Sequence, residues 1–172
     1  MRFGLMTFAA AGVLIGSPAA PVSAQPADLT PEAMATHLAE VGSWDFAARK
    51  KGPDGKPECT ETWHFDPDGT GWVQSGAQRV TLSWRTEQDE SDDRWLRLTP
   101  LASSSGPDCM GRPIDPASYP EEEYGFVVMF KNMGDALTCR PAPYIMVNGV
   151  LTEDRILRDE DCWGSLNPVK RK

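Results

Sequence analysis

The sequence predicts a mainly β fold: an antiparallel up-and-down β-barrel of about eight strands, preceded by one short helix. Three observations predict it. From Ser43 onward, apolar residues recur at every second position in short runs rich in aromatic and β-branched side chains. Tight turns of proline, glycine and aspartate separate these runs, which parallel strands, with their long crossovers, do not tolerate. Two successive turns, each set by its own chemistry, also agree on which strand face is buried.

The chain begins with one arginine, an apolar run from Phe3 to Ile15, and small residues ending Val22-Ser23-Ala24. This reads as a secretory signal peptide cleaved before Gln25, too short to anchor in a membrane. The first cysteine is Cys59, so no lipid anchor on a new N-terminal cysteine is expected. The expected organisation is a signal peptide at 1–24 and a single β-barrel domain at 25–172, periplasmic or secreted. A domain of that size buries roughly 70% of its unfolded surface.

The net charge is −8, and loss of Arg2 with the signal peptide makes it one unit more negative. Such a chain repels nucleic acid and anionic membranes, so neither is an expected partner. Cys59, Cys109, Cys139 and Cys162 form an even set in an oxidising compartment, which reads as two disulfides. Their wide spacing lacks the short Cys-x₂₋₄-Cys pair of a zinc site. Three pairings are open. Counting strands puts Cys109 and Cys139 near one end, which favours that pair and leaves Cys59 with Cys162.

The elements follow in order. Thr30 can cap a helix, Pro31 suits its first turn and Glu32 its positive end. Met34, Leu38 and Val41 share a face, and Gly42 can end the helix. Strands are expected from Trp44, over 61–65, 71–75, 78–86, 94–99, 124–132 and 136–140, and within 144–157. The stretch 87–93, with five acids, reads as a solvated loop, 102–123 as a long rim segment, and residues from Asn167 as a tail.

The register can be derived. In Phe65-Asp66-Pro67-Asp68-Gly69-Thr70, proline presets the first turn residue and glycine takes the left-handed one, giving a three-residue hairpin loop with a bulge. Asp66 then pairs with Thr70, Phe65 with Gly71, His64 with Trp72 and Trp63 with Val73, with Gly71 leaving room for the Phe65 ring. In Ser75-Gly76-Ala77-Gln78, glycine first in a two-residue loop suits a type II′ turn and pairs Val73 with Val80 and Gly71 with Leu82. Trp63, Phe65, Val73, Val80, Leu82 and Trp84 therefore share one apolar face.

The same turn, Asp66-Pro67-Asp68-Gly69-Thr70-Gly71, resembles the first half of a calcium loop. Its closing glutamate would fall where Ala77 stands, and its flanks are strands where an EF-hand has helices, so the turn reading prevails and no metal site is expected. His64 reads as a surface cross-strand partner of Trp72, and His37 as a helix-flank residue without an acid in register. Ser103-Ser104-Ser105 lacks the glycines of a nucleophile elbow. Asp154, Glu160 and Asp161 near Trp163 stay open as carboxylates that could work as an acid–base pair. No catalytic residue and no cofactor is expected, and the chain reads as a non-enzyme.

The positive signal is aromatic. Six tryptophans are present, at 44, 63, 72, 84, 95 and 163. Trp44, Trp63 and Trp84 should point inward with Phe65 and Phe130, as a filled core or as the wall of an apolar pocket.

A short helix, then Gly42-Ser43-Trp44 entering the first strand, then a meander of hairpins resembles the lipocalin-like, or calycin, barrels. That resemblance implies an eight-stranded barrel holding a small apolar ligand, here lined by Trp44, Trp63, Phe65, Val80, Leu82, Trp84 and Phe130. It also implies an arginine packed on Trp44, for which Arg155 and Arg158 are candidates. The alternative expectation is a periplasmic interaction protein, such as an inhibitor of a secreted hydrolase, acting through the rim segment at 102–123.

Overall fold

The computed structural model describes residues 29–90, 93–114, 122–131, 134–139, 144–147, 150–153 and 161–170. Helix α1 (Pro31–Val41) begins as its residues dictate: Thr30 accepts a hydrogen bond from the Ala33 amide, and Gly42, at φ 76°, donates to the Leu38 carbonyl. Met34 and Leu38 are its buried face.

The strands are β1 (Ser43–Ala48), β2 (Thr60–Phe65), β3 (Thr70–Ser75), β4 (Gln78–Gln88), β5 (Arg94–Ser103), β6 (Gly106–Pro107), β7 (Pro113–Ile114), β8 (Tyr124–Lys131), β9 (Asp135–Cys139), β10 (Tyr144–Val147), β11 (Val150–Glu153) and β12 (Cys162–Pro168). Eight of them close a barrel in the order β1-β12-β9-β8-β5-β4-β3-β2, and every pairing is antiparallel. β6–β7 and β10–β11 are separate two-stranded hairpins.

The derived register is the observed one. Phe65 pairs with Gly71, His64 with Trp72, Trp63 with Val73, Val73 with Val80 and Gly71 with Leu82. The Asp66 amide donates to the Thr70 carbonyl and the Gly69 amide to the Asp66 carbonyl, with Gly69 at φ 82°. Asp68 receives both the amide and the hydroxyl of Thr70, at 2.9 and 2.6 Å, which holds its carboxyl below the usual range. The role given to Gly71 changes: a side chain there would run into the His64 carbonyl across the hairpin, so backbone approach, rather than the Phe65 ring, demands glycine.

The eighth barrel strand is not where the sequence placed it. The segment within 144–157 forms the β10–β11 hairpin outside the barrel, and β12, at 162–168, closes it against β1 and β9. Asn167 thus lies in a strand and pairs with Asp45, whereas it was expected to start a tail. Cys-Trp-Gly-Ser-Leu-Asn-Pro has no β-branched residue and carries glycine, asparagine and proline, so propensity hides it. Gly164 is needed because a side chain there would fall inside the Phe46 ring. Glu87 and Gln88 extend β4, although 87–93 was expected to be a solvated loop.

The disulfides join Cys59 to Cys109 and Cys139 to Cys162, which corrects the pairing favoured from the strand count. All four cysteines lie at one end of the barrel: the start of β2, the loop after β6, the end of β9 and the start of β12. Choosing partners by end therefore discriminates nothing. Cys139 and Cys162 are direct neighbours across β9 and β12, a pairing that required knowing β12 exists.

The opposite end is the base. There α1 covers the barrel, with the Thr86 hydroxyl donating to the Pro31 carbonyl at 2.7 Å and the Trp44 indole donating to the Leu38 carbonyl at 3.1 Å. Among the described residues, the Trp44 ring meets His37 and Phe130 edge-on, at 5.6 and 6.2 Å. The candidates Arg155 and Arg158 lie outside the described residues, as do residues 1–24, Asp154 and Glu160. A second buried cluster, Val127, Leu137, Cys139 and Cys162, lies on the outward face of β8, β9 and β12.

Candidate functional site

All seven residues expected to line the interior are buried: Trp44, Trp63, Phe65, Val80, Leu82, Trp84 and Phe130 are between 0 and 8% exposed. They belong to one packed body running from α1 up the barrel, apart from Val80, which is buried near its upper end. Phe65 sits edge-on between Trp63 and Trp84, with ring centroids 6.4 and 5.1 Å apart. The lower barrel is thus filled by aromatic rings in contact, each contributing roughly 2 kcal/mol or more through burial. Two cavities open on the outside of the barrel and reach the edge of this core at Phe46 and Trp84 respectively. One of about 520 Å³ runs over the outer wall past Asp45, Thr62, Gln74 and Asn167, and one of about 350 Å³ sits between α1 and the β2–β3 turn.

The upper end, the mouth, is built differently. Phe46 of β1 and Trp63 of β2 stack at 5.4 Å with an interplanar angle of 19°. Phe126 of β8 meets Trp63 at 5.4 Å, and Tyr124 leans on Phe126 at 5.9 Å. The register of β12 shifts between Cys162 and Gly164, and the Trp163 ring lies on both Phe46 and Phe126, at 5.1 and 5.3 Å. Phe46, Trp63 and Phe126 are buried, but Trp163 remains 37% and Tyr124 40% exposed. The cluster therefore presents aromatic surface to solvent at the mouth.

A polar row rims this cluster. Glu61, two residues before Trp63 on the same face, pairs across the ladder with inward Phe46 and buried Ser75. Its Oε2 accepts the Trp63 indole N–H at 2.8 Å. Ser75 Oγ accepts the Cys109 amide at 3.0 Å, and Gln78 donates to Ser103 Oγ at 2.8 Å. The β6–β7 hairpin folds onto this side: the Ala77 amide donates to the Pro107 carbonyl, and Gly76, at φ 56°, leaves space that the Asp108 carbonyl occupies. Asp108, itself buried, accepts from the amides of Met110 and Arg112 and from the Arg112 guanidinium. Burial pushes its carboxyl up, but the Arg112 side chain and the two amides together outweigh that and hold it below the usual range.

The outer wall holds the residues that sequence chemistry weighed. His64 stacks on Trp72 at 5.2 Å, as expected, and Arg79 covers the same indole at 3.8 Å. His64 also bonds Ser43 Oγ through Nδ1 and Asp66 through Nε2, at 2.8 and 3.2 Å. His37 is turned against Trp44 and Phe130, and its Nε2 is buried without a hydrogen-bond partner among the described residues.

Phe46, Glu61, Tyr124, Phe126 and Trp163 were not singled out from sequence. Alternation was a sufficient signal for four of them: Phe46 follows Trp44 by two, Glu61 precedes Trp63 by two, and Tyr124 and Phe126 continue the phase of Phe130. Trp163 could not be found without β12.

Comparison with known proteins finds no family model that matches this chain, no similar curated protein and no similar solved structure. The class is therefore stated by architecture: a closed, eight-stranded antiparallel barrel capped by one helix, compatible with a lipocalin-like barrel.

Proposed function

We infer that this is an exported, non-enzymatic binding protein of lipocalin-like type that takes a small apolar molecule at the mouth of its barrel. One observation carries the reading: Trp163 and Tyr124 stay more than a third exposed while resting on the buried rings of Phe126 and Phe46. Large aromatic surface left in water beside a ready stacking partner is what an apolar ligand can cover. The rings that fill the base support binding at the mouth over binding along the whole interior. The two disulfides agree with an oxidising compartment, and no helix among the described residues is long and apolar enough to cross a membrane. Titration with fatty acids and other hydrophobic probes should shift intrinsic tryptophan fluorescence, and Trp163→Ala should suppress the shift. An unchanged spectrum across the panel overturns the reading.

A second reading, an interaction protein such as an inhibitor of a secreted hydrolase, is favoured by the β6–β7 hairpin. Its tip exposes Met110 while Cys109 pins it to β2, a braced projection suited to entering a partner's cleft. Replacing Met110 and Gly111 by serines should abolish capture of such a hydrolase without unfolding the barrel. Retained capture counts against it.

A further inference from the structure

The mouth holds a charge that an apolar ligand does not explain. Glu61 points inward, between Phe46 and Ser75 in the ladder and beneath the Cys59–Cys109 bridge. Its Oε2 receives one indole N–H, from Trp63. Its Oε1 lies 3.8 Å from Cys59 Sγ and 3.6 Å from Cys109 Sγ, and oxidised sulfurs have no proton to donate. Among the described residues, no lysine or arginine reaches this carboxylate. Several other carboxylates do have a cation: Glu58 pairs with Lys50, Glu87 with Arg97 and Arg85, Asp108 with Arg112 and Glu123 with Arg85.

We propose that the mouth binds an organic cation, an ammonium group carried on an apolar or aromatic body, with Glu61 as its counter-ion and the exposed Trp163 ring, backed by Phe46 and Phe126, as its aromatic wall. The proposal rests on the mouth being the binding site and adds the ligand's charge. A neutral apolar ligand seated there would strip water from a half-buried carboxylate and return nothing, whereas a cation restores an ion pair in a low-dielectric setting. The aromatic faces attract the same cation through their quadrupoles. The chain's net charge of −8 steers cations toward it. A trimethylammonium or amine head fits these demands better than a metal ion, because the ring walls supply no ligating oxygen or nitrogen.

The test uses two probes of one shape, benzyltrimethylammonium and its all-carbon isostere neopentylbenzene, titrated into the oxidised full chain and followed by tryptophan fluorescence. The cation should bind at least about ten-fold more tightly than the isostere, a margin consistent with a desolvated cation–π contact plus one ion pair. Glu61→Gln, whose amide oxygen can still accept the Trp63 N–H, should reduce that preference to the part the aromatic rings supply, weakening the cation several-fold and tightening neopentylbenzene, which no longer desolvates a charge. Trp163→Ala should weaken both. Equal affinities in the wild-type protein, or a preference undiminished in Glu61→Gln, overturns the proposal and leaves the apolar-ligand reading standing. No response to either probe overturns both.

Discussion

The two ends of this barrel are held by different chemistry. At the base, a capped helix, a buried tryptophan bonded to that helix and a set of interlocking rings exclude water. At the mouth, two disulfides, a small hairpin and hydrogen bonds to Ser75 and Asp108 hold the chain, and Trp163 and Tyr124 remain open to solvent. The base obtains its stability from packing, which uses up its aromatic surface. The mouth is braced covalently and by polar contacts, which leaves the Trp163 ring partly exposed to solvent.

The tryptophans test this division most severely. Trp44→Ala should cost about 4 to 5 kcal/mol, since it empties a fully buried site and removes one of the two hydrogen bonds to the Leu38 carbonyl, whereas Trp163→Ala, at a ring more than a third exposed, should cost about 2 kcal/mol. Urea melts of the two variants measure the contrast, and equal losses would erase it. Removing the bridges comes next. Cys59→Ser with Cys109→Ser opens a link between residues 50 apart, and Cys139→Ser with Cys162→Ser one between residues 23 apart. Chain entropy predicts losses of about 4 and about 3 kcal/mol, respectively. Limited proteolysis should then cut first at the mouth, with the 31–47 segment still protected.

Acid should act on the mouth. The Asp108 carboxyl is held below its usual range, so its contribution is present above the ordinary aspartate value and is lost as pH falls through the depressed one. Asp108→Asn should cost roughly 2 kcal/mol at neutral pH and progressively less in acid, read from melting midpoints across pH. At the base, Thr30→Ala should cost about 1 kcal/mol and leave probe binding at the mouth untouched.

The base was largely legible in the sequence, and of the mouth only the Ser75–Gln78 turn was. Thr30-Pro31-Glu32, Gly42, and the turns at Asp66–Thr70 and Ser75–Gln78 are local signals, and each sets geometry within a few residues of itself. From them followed the register and the inward set Trp63, Phe65, Val80, Leu82 and Trp84. The mouth depends on contacts distant in sequence: Cys59 with Cys109, Glu61 with that bridge, and Trp163 with Phe46 and Phe126. Its key strand, β12, has poor strand propensity because Gly164 yields space to Phe46. Local preference was overridden there by packing, and the assignment of the eighth strand went to the more β-like segment within 144–157, which pairs outside the barrel.

Closure of the barrel joins β1 to β12, so that Trp44 faces Pro168 and the Asn167 amide group reaches the Asp45 carbonyl across 122 positions of chain. The consequence is one of order in time. The β2–β3–β4 meander spans few residues and can form at once, but the seam joins segments more than a hundred residues apart and must wait until the larger loop-closure entropy has been met. Pulsed hydrogen exchange during refolding should find Trp72 protected before Leu166, and simultaneous protection would contradict this sequence of events. Until the seam shuts, β1 and β9 present unpaired edges, and the β1 edge in particular is the point at which a second chain could substitute for β12.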